Sequence, residues 1–189
     1  MNFPDRPKLA RRDGESLIPV RYPNVYVAEE TTGPQRLRIG PASEPVEVLL
    51  SLAELWERDY FLLYVLIVPR GAAPEAGRYQ SPGPLSFDDV AAFCRRFAPF
   101  LEGDARHHLW IGSTGQAGLL IYDHHEWIYA YGDLAGYETL LLERGFQQGE
   151  IELPVPHTHN FLQEFDADEE ALMAYWPWVH GPLQPGDDP

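Results

Sequence analysis

The chain is nearly without cysteine. Cys94 is the single one in 189 residues, which excludes an intramolecular disulfide framework and a cysteine-based zinc finger. Lysine is as scarce, with Lys8 alone against thirteen arginines. That imbalance reflects coding bias rather than mechanism. No apolar stretch reaches the ~20 residues of a membrane-spanning helix; the longest, residues 61–68, has the length of a strand. The first fifteen residues carry basic side chains but no apolar core of a secretory signal, so a reducing cytoplasm is the expected compartment. Catalytic signatures are missing as well. H-E-x-x-H and G-x-S-x-G do not occur. The glycine-rich stretch from Gly112 to Gly118 lacks the G-K-[ST] ending of a phosphate loop and runs into a strand pattern, so it reads as a hairpin loop.

Positive charge is scarce in the second half of the chain. Net charge is −15, and residues 101–189 hold 16 acidic residues against only Arg106 and Arg144. Phosphate backbones and anionic membrane surfaces both need Lys and Arg, so nucleic acid and membrane are excluded as expected partners. A basic protein, a cationic ligand or a metal ion is attracted instead. Acidity also serves solubility alone.

A composition of 44% hydrophobic, 13% aromatic and 23% charged residues is that of a globular domain. The periodicities predict short strands near 19–28 and 36–39, a helix over 46–58, and a strand over 60–68 buried on both faces. They continue with a long loop over 69–84 and a helix capped by Ser86. Cys94 lies on the apolar stripe of that helix. Three strands in a meander (107–111, 119–122 and 127–131) precede a helix over 134–144 capped by Asp133. A short strand or extended piece at 150–153 and a short helix over 168–175 follow. Strict β-α-β alternation is lacking. The expected class is α+β: a mainly antiparallel sheet with a β-meander in the C-terminal half, and three to four helices packed on one face. Residues 1–16 read as a flexible arm, 17–180 as one domain and 181–189 as a polar tail.

Two features carry chemistry. All seven histidines lie at or beyond residue 107. Asp123-His124-His125-Glu126 falls at a hairpin tip, and His157-Thr158-His159 sits in a proline-flanked segment. Extended residues i and i+2 point the same way, so His157 and His159 reach one ion if the segment is a strand. Imidazoles with a carboxylate from Asp123 or Glu126 suit Zn²⁺ or another first-row divalent metal, and an open coordination position would activate water for hydrolysis. Against this, H-x-H is a short pattern, and histidines at a hairpin tip are commonly solvated polar groups.

The second feature is aromatic. Trp127, Tyr129 and Tyr131 share one face of a strand, as core or as a recognition surface. Trp176 and Trp178 lie near the end of the chain, after the acidic pair Glu169 and Glu170. Acid beside Trp and Tyr is the chemistry of an interface that captures a basic protein quickly and holds it by aromatic anchors. The expected function is therefore a non-enzymatic, cofactor-free binding protein that neutralises a basic partner, in the manner of an immunity protein or antitoxin. The alternative is a metal-binding protein or metal-dependent hydrolase built on His157, His159 and the 123–126 turn.

Overall fold

A computed structural model describes residues 7–14, 16–56, 59–115 and 118–187. The strands are β1 (Leu9–Asp13), β2 (Ser16–Pro19), β3 (Val25–Glu29), β4 (Arg36–Gly40), β5 (Tyr60–Leu66) and β6 (Gly77–Gln80). They continue as β7 (His107–Ser113), β8 (Gly118–Tyr122), β9 (Ile128–Gly132), β10 (Gln147–Gln148), β11 (His157–His159) and β12 (Val179–Gly181). The helices are α1 (Pro45–Glu54), α2 (Phe87–Gly103), α3 (Leu134–Glu143) and α4 (Asp166–Met173). Nine strands form one sheet in the order β10-β3-β4-β9-β8-β7-β5-β6-β12, and β11-β1-β2 form a second. Among the described residues, every strand pairing is antiparallel except that of β10 with β3. The class is α+β. Among the described residues, no helix is long and apolar enough to cross a membrane.

The large sheet has two different faces because its side chains alternate. Leu37 and Ile39 of β4, Leu62 and Tyr64 of β5, Leu109 and Ile111 of β7, Leu120 of β8 and Ala130 of β9 bury one face. They join Leu49 of α1, Phe93 and Phe97 of α2, Tyr137 of α3 and Leu172 of α4 in one core. The alternate residues form the other face. Cross-strand register places Leu63, Trp110, Ile121, Tyr129 and Arg38 in a row across five strands. A neighbouring row runs from Arg78 through Val65 to His108.

The α2 cap shows how local chemistry fixes an element. Ser86 accepts from Asp89 N while Asp89 accepts from Ser86 N, a reciprocal capping box worth about 1 kcal/mol. Cys94 is fully buried on its inner side, and burial raises its thiol pKa far from the reactive range.

The structure departs from the sequence reading in several places. Residues 7–14 and 16 are not a loose arm: β1 spans Leu9–Asp13 and Ser16 opens β2, with Lys8, Leu9 and Ala10 almost fully buried. Leu9 packs with Val20, Tyr22, Val25, Trp127 and Ile151 in a second small core. Two apolar residues gave too little periodicity to reveal a strand whose partners lie far away in sequence. Residues 1–6 of the expected arm lie outside the described residues. The C-terminal tail is likewise anchored, since Asp187 is buried against Arg78; residues 188–189 lie outside the described residues. The 69–84 loop contains β6, which Pro and Gly on either side concealed. No strand forms at 150–153; β10 and β11 flank that segment instead. Helix α1 stops at Glu54, ahead of the expected end at Arg58, which lies outside the described residues. On β5, Phe61 and Leu63 are only half-buried, so that strand is fully covered on its helix side alone.

Candidate metal centre and adjoining cleft

The turn between β8 and β9 is organised by one carboxylate. Asp123 accepts from the backbone N–H of His125 at 2.9 Å and of Trp127 at 3.0 Å. The same carboxylate takes Nδ1–H of His125 at 3.2 Å. Glu126 adopts the left-handed conformation that lets the chain reverse. Burial alone would raise the Asp123 carboxyl, but the hydrogen bond from His125 and the surrounding histidines hold it below the usual range. It is ionised and fully committed to its donors.

Strand β11 approaches this turn because β1 pairs with it, in a register that sets Leu9 opposite His159 and Arg11 opposite His157. The strand that the sequence did not reveal therefore delivers the second pair of histidines. Lys8 ties the layers together: its Nζ donates to the carbonyls of Asp123 at 3.1 Å and Leu101 at 3.0 Å and lies over the Tyr122 ring.

The result is a cluster of imidazoles. Ring centroids of His124 and His125 are 4.1 Å apart, those of His124 and His159 4.4 Å, and those of His125 and His159 4.9 Å. One nitrogen from each of these three rings lies within 4.8 Å of the others. His157 stands beside them, its ring 5.2 Å from His159 and 5.6 Å from His125.

Hydrogen bonding fixes which nitrogen of most rings faces the cluster. His157 Nδ1 lies 3.0 Å from the carbonyl of Pro154, which can only accept, so Nδ1 carries the proton and Nε2 keeps its lone pair. The Asp123 carboxylate fixes His125 in the same tautomer. Nδ1 of His124 meets Nε2 of His108. Among the described residues, Nε2 of His124 is buried without a partner, as is Nε2 of His159. A proton on His124 Nε2 would be a buried donor with no acceptor, a cost of roughly 1–3 kcal/mol. The proton therefore sits on Nδ1 and is donated to His108. Burial also pushes His124 down to about 2 and His159 down to about 4, so both rings are neutral near pH 7, the form that ligates metals. Burial lowers His108 to about 4 as well.

Of the residues singled out from sequence, His124, His125, His157 and His159 come together. Asp123 supports His125 rather than joining the nitrogen cluster. Glu126 is also outside that cluster; burial, first of all, pushes its carboxyl up to about 7. His108 and Lys8 were missed. Alternation held a clue to the first, since only one of His107 and His108 can face the helices. His107 does so, packed against Tyr64 and Phe100. His180 stacks on Tyr79.

A cleft of about 330 Å³ opens beside the cluster on the helix-free face, lined by Arg36, His108, Trp110, Ile121, His124, His125, Trp127, Tyr129, Tyr131 and Asp187 among others. Trp127, Tyr129 and Tyr131 thus share one surface, with Trp127 itself mostly buried. Trp176 and Trp178 belong elsewhere: both pack on Phe93 of α2. Glu169 is buried in a network with Arg106, Asp104 and Tyr64, and so is not available to a partner, whereas Glu170 is exposed.

No family model matches the chain, and no curated protein or solved structure matches it either.

Proposed function

We propose that this protein binds a late first-row divalent metal ion, with Zn²⁺ as the reference case, through His124, His125 and His159, with His157 as a fourth ligand within reach. The supporting observation is the convergence of three imidazole nitrogens within 4.8 Å, two of the rings having a buried Nε2 without a partner. Nitrogen ligands at Zn–N distances of about 2.0–2.1 Å stand roughly 3.4 Å apart around a tetrahedral ion, so a modest contraction of the cluster would complete the site. Neutral imidazoles suit Zn²⁺, Cu²⁺, Ni²⁺ or Co²⁺ and do not suit Mg²⁺ or Ca²⁺. Asp123 on His125 and Pro154 O on His157 are the hydrogen-bond partners that metal-ligating histidines usually carry.

Elemental analysis tests this. The untagged chain, incubated with Zn²⁺ and desalted, should retain about one ion. His124→Ala combined with His159→Ala should retain almost none while keeping its circular dichroism spectrum. Unchanged retention by the double variant would refute the site.

Capture of a basic protein is the second reading. It draws on the exposed acids Glu164, Asp168 and Glu170 on α4 and the turn before it. Changing all three to Gln should weaken capture of such a partner at low salt, and unchanged capture would count against it.

A further inference from the structure

We infer that the cleft beside the histidines is a binding site for a small aromatic carboxylate, which goes beyond the metal reading. Charge is the first argument. Arg36 and Arg38 both pair with the single carboxylate of Glu29, at 2.8 and 2.9 Å. The other acids facing the cleft are each taken: Asp187 by the Arg78 fork, and Asp123 by three N–H donors of the turn. The wall is balanced overall, because the Asp123 carboxylate keeps its charge among neutral N–H donors, but at the far end two guanidiniums, Arg36 and Arg38, share one carboxylate.

Preorganisation is the second. The Arg36 guanidinium lies 3.9 Å over the Tyr129 ring, its Nε donates to Glu29 and its Nη1 to the Tyr131 hydroxyl at 2.8 Å. Among the described residues, Nη2 has no hydrogen-bond acceptor. A planar fork held in this way offers its remaining N–H donors to a carboxylate at little entropic cost.

The rest of the lining sets the body of the ligand. Trp110, Ile121 and Tyr131 supply flat and apolar wall, and the volume of about 330 Å³ is at the small end for ligand sites. A single substituted ring fits that space and a polymer does not. With its carboxylate on Arg36, the ring lies along the aromatic row that leads to the histidines.

The test is calorimetric titration with benzoate, using benzamide and cyclohexanecarboxylate as comparators. Benzoate should bind saturably, with each comparator at least tenfold weaker. Arg36→Gln should weaken benzoate at least tenfold. Because that change also disturbs Glu29 and Tyr131, Glu29→Gln provides the opposite arm: it frees both guanidiniums and should tighten benzoate severalfold. Benzamide binding as well as benzoate, or Glu29→Gln leaving benzoate binding unchanged or weaker, would overturn the proposal, as would no benzoate binding at millimolar concentration. All titrations are run on chelator-treated and on Zn²⁺-loaded protein. Benzoate binding in both with no metal retained sinks the metal reading alone; metal retention without benzoate binding sinks the cleft proposal alone.

Discussion

The ring of His124 meets that of His159 edge to face at 4.4 Å, and each has a buried Nε2 without a hydrogen-bond partner. One ring belongs to a hairpin turn and the other to a short strand of a different sheet. Their meeting depends on β1, which links the strand of His159 to the body of the fold through the Leu9 register. A buried, unpartnered imidazole nitrogen is costly, and the metal ion proposed above would satisfy both of these at once.

His108 should matter without touching the ion. Its Nε2 accepts a hydrogen bond from His124 Nδ1–H and so keeps the His124 lone pair on the cluster side. His108→Ala is expected to weaken Zn²⁺ affinity about 10–100-fold, the usual effect of losing such a partner. His108→Gln, whose amide oxygen also accepts, should recover much of the loss. Equal weakening in both variants, measured by chelator competition, would mean that His108 only fills space.

Metal should stabilise the fold. An ion bound only by the folded chain contributes about 2.7 kcal/mol at a free concentration one hundred times its Kd. Thermal unfolding should therefore shift upward with Zn²⁺ in the native chain and not in His124→Ala/His159→Ala. A shift of the same size in that variant would place the ion elsewhere.

Arg106 is expected to be the least tolerant charged position. Its guanidinium is 1% exposed and reaches Asp104 at 2.9 Å and Glu169 at 3.0 Å, both also buried. Arg106→Met leaves two buried carboxylates unpaired and should cost about 3–5 kcal/mol in denaturant unfolding. A loss below about 1 kcal/mol, the range of exposed ion pairs, would show that water reaches the network.

Lys8 gives stability an alkaline signature. Burial lowers its pKa from 10.5 to about 8, partly offset by Glu126, Asp123 and other acids. Below pH 8 both folded and unfolded chains carry the proton, and the full cost of the buried charge is present. Between pH 8 and 10.5 the unfolded chain binds more protons than the folded one, so stability contributed at this site rises with pH, by about 3 kcal/mol over the window. The difference in unfolding free energy between the native chain and Lys8→Met should follow that curve; a flat difference would mean that the ammonium is better solvated than its burial implies.

Much of this architecture was legible in the sequence. The 107–131 meander, the Ser86 cap, the Asp133 cap and the buried Cys94 all follow from local pattern, because each depends on neighbours a few residues away. The i, i+2 spacing of His157 and His159 anticipated two rings on one side of a strand. What escaped was non-local. Leu9 and Ala10 form a strand only because β2 and β11 flank them. Trp176 and Trp178 suggested a surface by their place near the terminus, yet Phe93 gives them something to pack on. Glu169 counted as free acid until Arg106, far away in sequence, faced it.

X-ray absorption at the zinc edge of the Zn²⁺-loaded chain addresses the histidine centre directly. Three or four nitrogen neighbours at about 2.0–2.1 Å, with the outer-shell scattering of imidazole, are expected. A shell of oxygen alone, without imidazole scattering, would contradict a metal held by His124, His125 and His159.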